Sequence, residues 1–391
     1  MLGGSARTVM LPFWHQVRKA SNSAPLTMKA WCIHDYGNTD QLSLVENIRT
    51  PPILSPSDVL VKVHATSVNP IDVMMMDGYG SSIFNSMKKA KNITASCQTT
   101  SEFPLILGRD FSGVVVKTGQ AGKSAGLSPG DEVWGCVAPY ADNGSHAEYV
   151  LTSGDSIIKK PDSLTFTEAA SIPYVALTAW SALTVSGGLS PRKAAGKRVL
   201  VLGGSGGVGC FAIQLLKAWK VDVTATCSAD AVDLLGRLGA DYVLDYKSNT
   251  YRKDLKKLQK FDVILDCAQQ QPDFFIKLLN KNGKFVTLNG PVMKNADDYG
   301  LSVGLGLTAL KLGTHLLQSV TEGVHFRWAY YMPNRRALKS VAHLCNESQI
   351  VPVVQRVVPF ENLPEAFNLV SSGPNRGKTV IEIVEEEQDD T

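Results

Sequence analysis

Apolar and polar positions change rhythm once along this chain, near Lys197. From Met28 to about Val150 short continuous or alternating apolar runs are broken by Gly, Pro and Asn. "DVLVKVHATSV" (58–68), "FSGVVVKTG" (111–119), "DEVWGCV" (131–137) and "AEYVLT" (147–152) read as strands, separated by turn signals such as "SPG" (128–130) and "DNGS" (142–145). This half is expected to be β-rich and barrel-like. Residues 78–103 carry no clear period and are expected to form a long surface loop.

From Lys197 strands alternate with helical patterns. "RVLVLG" (198–203) leads into "VGCFAIQLLKAW" (208–219), "VDVTATC" (221–227) into "AVDLLGRLG" (231–239), and "DYVLDY" (241–246) into "YRKDLKKL" (251–258). "FDVILDC" (261–267) precedes "PDFFIKLLN" (272–280), and "GKFVTLN" (283–289) closes the run. Such spacing implies βαβ units and a parallel sheet. After residue 290 comes a Gly-containing apolar stretch, then helical "RRALKSVAHLCN" (335–346) and two more strands, "VPVVQRVVPF" (351–360) and "TVIEIVEE" (379–386). The simplest architecture is an alternating α/β unit inserted into a β-rich unit that the C-terminus returns to complete.

Chemistry concentrates at the first turn of the alternating half. Gly204-Ser205-Gly206-Gly207-Val208-Gly209 follows a strand and opens a helix, the context that a dinucleotide-binding turn requires. Gly204 is expected to permit the tight turn, Gly206 to let the pyrophosphate approach, and Gly209 to pack helix against strand. An acid that bonds the ribose 2′-hydroxyl in NAD sites is expected about 20 residues on. Cys227 and Ser228 stand there instead, with Asp230 two residues later, which favours NADPH.

Composition adds bounds. The chain has 391 residues, 44% apolar and 19% charged, enough for two domains of ordinary globular type. A net charge of +3 gives no reason to expect nucleic acid. No acid precedes Asp35, and the basic, Ser/Ala-containing "MLGGSARTVMLPFWHQVRKASNSA" has the composition of a mitochondrial transit peptide, with cleavage expected near residues 20–27. The seven cysteines are scattered singly, without C-x-x-C pairs or zinc spacing, as in a reducing compartment. No apolar run of transmembrane length is expected, and "EEEQDD" (385–390) reads as a solvated tail.

"ATSVNPIDVMMMDGYG" (65–80), "FPLILGRDFSGVV" (103–115), "PGDEVWG" (129–135) and "AASIPYVALTAWSAL" (169–183) resemble the medium-chain dehydrogenase/reductase superfamily and, within it, the zinc-free quinone oxidoreductase branch. With the basic N-terminus and "GVHFRWAYYM" (323–332), the resemblance narrows to the mitochondrial reticulon-interacting reductases. It implies an α/β fold: a GroES-like β-barrel catalytic domain plus a Rossmann doubly wound parallel sheet. The expected division is a transit peptide at 1–27, the first part of the catalytic domain at 28–175, the NADP-binding domain at 176–330, and a returning segment at 331–391.

Zinc alcohol dehydrogenases of the superfamily carry Cys where this chain has Asn69, and Gly-His-Glu where it has Gly108-Arg109-Asp110. A catalytic metal is therefore not expected. The resemblance implies hydride transfer to a quinone or activated alkene, in the setting of ubiquinone biosynthesis. Asn69 and Tyr79 are the candidates to line the substrate pocket, Tyr79 at the position of a proton donor, while Asp72 fixes loop conformation. Ser205, Gly207 and Val208 are placed at the pyrophosphate, Ser228 and Tyr246 near the 2′-phosphate, and Cys267 and Leu288 beside the nicotinamide half. Relatives often place a Lys after the second strand, where Ala231 stands; Arg376-Gly377-Lys378 is expected to reach back to the cofactor in its stead. A wall of Met74–Met76 suits a lipid-like quinone. The alternatives are a mitochondrial enoyl thioester reductase, with "MKKAKN" (87–92) facing a carrier protein, and an NADPH-binding scaffold for a reticulon-type membrane protein. A homodimer through the edge of the nucleotide-binding sheet is implied by analogy alone.

Overall fold

The computed structural model describes residues 24–95, 102–120, 126–141 and 143–384. Most of the expected leader and the acidic run 385–390 lie outside the described residues.

The first strands are β1 (Thr27–Ile33), β2 (Ser43–Arg49), β3 (Asp58–Val68) and β4 (Leu105–Ile106). β5 (Asp110–Thr118), β6 (Glu132–Cys136), β7 (Tyr149–Ser153) and β8 (Ile157–Lys159) follow. β1 lies between β2 and β4 in a small antiparallel sheet, while β3 is the spine of a larger one, paired with β5 and β7. The alternation of β3 explains its place: Val59, Val61 and Val63 turn into one apolar cluster with Phe111, Val133 and Val150.

The alternating half forms a second sheet from β9 (Arg198–Leu202), β10 (Asp222–Cys227), β11 (Tyr242–Asp245), β12 (Phe261–Asp266), β13 (Leu279–Thr287) and β14 (His325–Trp328). All six are parallel, in the order β11-β10-β9-β12-β13-β14. Helices cover both faces, so the strands are apolar almost throughout. Val199 and Val201 of β9 pack beneath the helix Gly207–Ala218, whereas Leu200 and Leu202 face Phe275 and Phe285 on the other side. β15 (Val354–Pro359) and β16 (Lys378–Glu382) then leave this sheet; β16 pairs antiparallel with β3 and parallel with β15. The C-terminus thus completes the sheet that starts near residue 58.

Two expectations fail. The supposed loop 78–103 contains a helix, α2 (Ser81–Ala95), just after α1 (Pro70–Met76). Its first amides are held from far away: Asp297 accepts from the backbone of Gly80 at 2.6 Å and of Ser82 at 3.0 Å. The apolar stretch after 290 is a 31-residue helical run, Val292–Glu322, kinked at Gly300 (φ 76°), and α2 packs against it. Among the described residues two helical runs are long and apolar enough to cross a bilayer by length and composition, which corrects the expectation of none. Phe166–Ser186 is mostly buried, a core helix, whereas Val292–Glu322 is mostly exposed.

His146 is fully buried beside Phe367, its Nε2 3.3 Å from the Ser67 carbonyl. Burial lowers its pKa from 6.5 to about 4. A histidine depressed in the folded state contributes stability that is present above the unfolded value and lost as pH falls through the folded one. Urea unfolding should therefore weaken between pH 6.5 and about 4. His146→Gln should flatten that profile by up to about 3 kcal/mol; an unchanged slope would place the acid sensitivity elsewhere.

Candidate functional site

Five neighbouring parallel strands open their carboxyl ends onto one crevice, the place where α/β sheets bind ligands. The glycine turn follows β9, Ser228 follows β10, Tyr246 follows β11, Cys267 follows β12 and Leu288 follows β13. Backbone bonds fix these exits: Tyr246 N–H donates to Cys227, Cys267 N–H to Leu202, and Leu288 N–H to Asp266. The buried Asp266 carboxylate accepts from the amides of Ala268 and Gln270 and from Thr287, which shapes the turn carrying Cys267. Burial pushes the Cys267 thiol well up, and its side chain packs against the apolar core beneath the helix Gly207–Ala218.

The left-handed residue of the turn is Gly203 (φ 77°), one position before the expected one. Gly204 and Gly209 are required by close approach. A Cβ on Gly204 would lie 2.6 Å from Leu235, and one on Gly209 2.3 Å from the Gly203 carbonyl. Gly206 caps the helix Gly207–Ala218, and a Cβ there would meet nothing nearer than 3.8 Å, which leaves room for a ligand. The amides of Gly207 and Val208 belong to the first helical turn, where backbone donors lack helical acceptors and the dipole attracts anions.

The segment Asn375–Lys378 lies across this turn. Gly377 N–H donates to the Ser205 carbonyl at 3.0 Å and pairs in register with Gly206. Arg376 spreads over the end of β10: Nη2 reaches Ser228 Oγ at 2.8 Å and Asp230 Oδ2 at 2.6 Å, Nε reaches Asp230 at 3.1 Å, and Nη1 reaches Ser205 Oγ at 3.4 Å. Hydrogen bonds from Ser228 and Arg376 hold the Asp230 carboxyl down to about 2. Tyr246, half exposed, stands at the adjacent strand end.

Lys378 departs from expectation. Its ammonium turns away from the crevice end of Arg376 into the first sheet, 3.0 Å from Asp110 Oδ2 and within hydrogen-bond distance of Asn69 Oδ1. Asp110 is completely buried and also accepts from Asn69 Nδ2 (2.8 Å), Ser67 Oγ (2.7 Å) and the Tyr174 amide (2.6 Å). Asn69 is 1% exposed, with both ends of its carboxamide engaged; it does not present a free donor to a pocket. Asp72 accepts from the amides of Asn69 and Gly108 and pairs with Arg109, a clamp on the start of α1.

Tyr79, at the far end of α1, belongs to a different group from Asn69. It is half-buried, and burial together with Asp297 raises its pKa, while the raised Tyr330 phenol senses Tyr79 in turn. Asp297 and Tyr330 are residues that sequence reasoning did not single out, and Asp110 entered it only as the residue at a metal-ligand position of zinc relatives; each acts on partners more than 200 positions away or through a neighbour visible only in space.

Residues 55–162 match the alcohol dehydrogenase GroES-like domain, and residues 238–381 the zinc-binding dehydrogenase family. A Homo sapiens protein, the mitochondrial NAD(P)H oxidoreductase RTN4IP1, is 45% identical over 94% of this chain and 93% of its own length. The mitochondrial reticulon-4-interacting protein 1 of Caenorhabditis elegans is 39% identical over 93% of this chain and 98% of its own. Among solved structures, the quinone oxidoreductase of Coxiella burnetii superposes with a TM-score of 0.69 at 28% identity, covering 91% of this chain and 99% of the other.

Removing one partner of a buried pair leaves the other charge uncompensated. Lys378→Met should destabilise the fold by about 3 kcal/mol or more in chemical denaturation, and Lys378→Met with Asp110→Asn should recover at least about 1 kcal/mol of that. Additive losses would mean the two side chains do not act as a pair.

Proposed function

The chain belongs to the medium-chain dehydrogenase/reductase superfamily, and from that premise we propose that it is a zinc-independent, NADPH-dependent reductase of quinones or activated alkenes. Its class, an NAD(P)H-dependent oxidoreductase, and its compartment, the mitochondrion, are those of its relatives. The observation that carries the finer reading is Arg376, whose guanidinium is braced on Ser228 where a ribose 2′-phosphate would follow β10. A fork of donors suits phosphate, and Asp230 is the internal anion that the phosphate displaces from it.

The residues at the metal position of zinc relatives do not fit zinc. Asn69 and Arg109 are poor ligands, and the one carboxylate, Asp110, already has a cation beside it in Lys378. No step is therefore assigned to a metal.

When bound, the reduced nicotinamide supplies the hydride. The first-turn amides at Gly207 and Val208 hold the pyrophosphate; Ser228, Tyr246 and Arg376 hold the adenosine end; Cys267 and Leu288 line the nicotinamide half. Reduction of a quinone or enone puts charge on an oxygen, which a nearby donor stabilises. Tyr79, a neutral phenol, donates the proton, while Asn69 and Lys378 position the floor of the site. Ubiquinone biosynthesis is the setting proposed, and a reticulon-type membrane protein the partner, on the name that a relative carries.

Stopped-flow loss of NADPH absorbance with a soluble short-chain ubiquinone analogue tests the reading. Tyr79→Phe should slow it at least about tenfold with unchanged NADPH affinity. A response to a crotonyl thioester alone would reassign the chain to enoyl thioester reduction; tight binding without turnover of either would make it a scaffold. Arg376→Ala should weaken NADPH at least about tenfold while changing NADH by about twofold or less. Asp230→Asn should tighten NADPH; equal effects on both cofactors would remove Arg376 from the 2′-phosphate.

A further inference from the structure

The helix Val292–Glu322 is built inside out. Past its kink at Gly300, the residues turned toward the protein are small or hydroxylated: Gly304, Thr308 and Ser319 are buried. Their hydroxyls are satisfied locally, Thr308 by the Gly304 carbonyl at 2.8 Å and Ser319 by that of His315 at 2.7 Å. The large apolar side chains point the other way. Leu301, Leu305, Leu310, Leu316, Leu317 and Val320 are all exposed, Leu317 to 72% and Val320 to 78%. A helix that faces water carries the opposite pattern, and a contiguous apolar face of this length marks a surface that something covers. Small residues toward protein and hydrocarbon outward is the arrangement of a helix in contact with lipid.

We propose that this face docks on a bilayer bearing anionic phospholipid, with the helix lying in the plane of the membrane. Charge selects that occupant. Between Gly300 and Thr321 there is no Asp or Glu and one cation, Lys311, while His315 stacks on Phe326 at 4.3 Å; the adjoining α2 lies in a stretch, Gly78 to Ser101, that also lacks acids and carries Lys88, Lys89 and Lys91. The acids at the start of the helix are engaged, Asp297 with the amides of Gly80 and Ser82, Asp298 with Lys294. An anionic lipid surface complements this face, whereas a second copy related by a two-fold axis would set lysines against lysines. The helix does not cross the membrane: α2 holds one end and β14 continues from the other. From Leu301 to Glu322 it is about 33 Å long, and it lies in the interface as an amphipathic anchor does. Asp297 also holds the backbone next to Tyr79, so the docked face adjoins the proposed acceptor pocket. The proposal thereby deepens the reduction of a lipid-soluble acceptor and rests on that reading for the identity of the acceptor alone.

The test is co-sedimentation of the full chain with vesicles of phosphatidylcholine and cardiolipin, without substrate or cofactor. Leu310→Glu with Leu317→Glu should lower the bound fraction at a given lipid concentration by at least about tenfold. Val185→Glu, at an equally exposed apolar position elsewhere, should bind as the parent does. The N-terminal basic segment is common to all three proteins, so their differences read the helix. The double variant should keep its rate with a soluble quinone analogue and lose rate with a long-chain quinone held in the vesicles. Equal sedimentation of parent and double variant overturns the proposal. So does a parent that dimerises without lipid while the double variant is monomeric, which would give the face to a second copy. Docking without quinone reduction would instead overturn the acceptor and leave the membrane face standing.

Discussion

A buried ion pair ties the C-terminal strand to the first sheet of this molecule. Lys378, 5% exposed, meets the fully buried Asp110 beneath the point where the C-terminal strand returns to the first sheet. Two charges out of water are tolerated only when their remaining bonding capacity is met. Here Asp110 gathers Ser67, Asn69 and the amide of Tyr174, and Lys378 takes Asn69 as well. These partners come from β3, the start of α1, the helix that precedes the parallel sheet, and β16. Satisfying one carboxylate therefore fixes the angle at which the two halves of the chain meet.

That meeting determines what the crevice can do. Strand ends supply backbone geometry, and the glycine turn supplies room and a helix dipole, but neither distinguishes one dinucleotide from another. Arg376 reaches Ser228 two residues before β16 is anchored by Lys378 on Asp110. The wall expected of Met74–Met76 is not formed: Met75 and Met76 are buried in a core cluster with Trp31 and Phe367, because α1 packs that face inward, and Met74 alone is exposed.

What could be read from the sequence was what is encoded locally. The turn after β9, five of the six parallel strands and the helix Arg335–Asn346 each carry their signal within a dozen residues, and the structure reproduces them closely; the sixth strand, β14, lies beyond the run that was read. The glycine assignment slipped by one because Gly203 and Gly204 are chemically identical in a pattern and differ only in φ and in the Leu235 contact. Helix α2 was missed because its capping acid, Asp297, is 217 positions from Gly80. The long helix was missed because its apolar residues occupy the outward face, where periodicity arguments expect polar ones. Lys378 was placed with the phosphate because sequence order cannot say which way two basic neighbours diverge.

That divergence is the last structural point. In a regular strand, residues i and i+2 share a face, so Arg376 and Lys378 should point together. They do not: one lies over β10 and the other sinks toward Asp110. Gly377 between them has φ 85°, and a Cβ there would stand 2.1 Å from the Val353 carbonyl. An L side chain at 377 would meet both the backbone of β15's approach and an unfavourable torsion. The glycine is therefore what lets a tripeptide carry two cations to two places, one beside Ser228 at the end of β10 and one beside Asp110 in the first sheet.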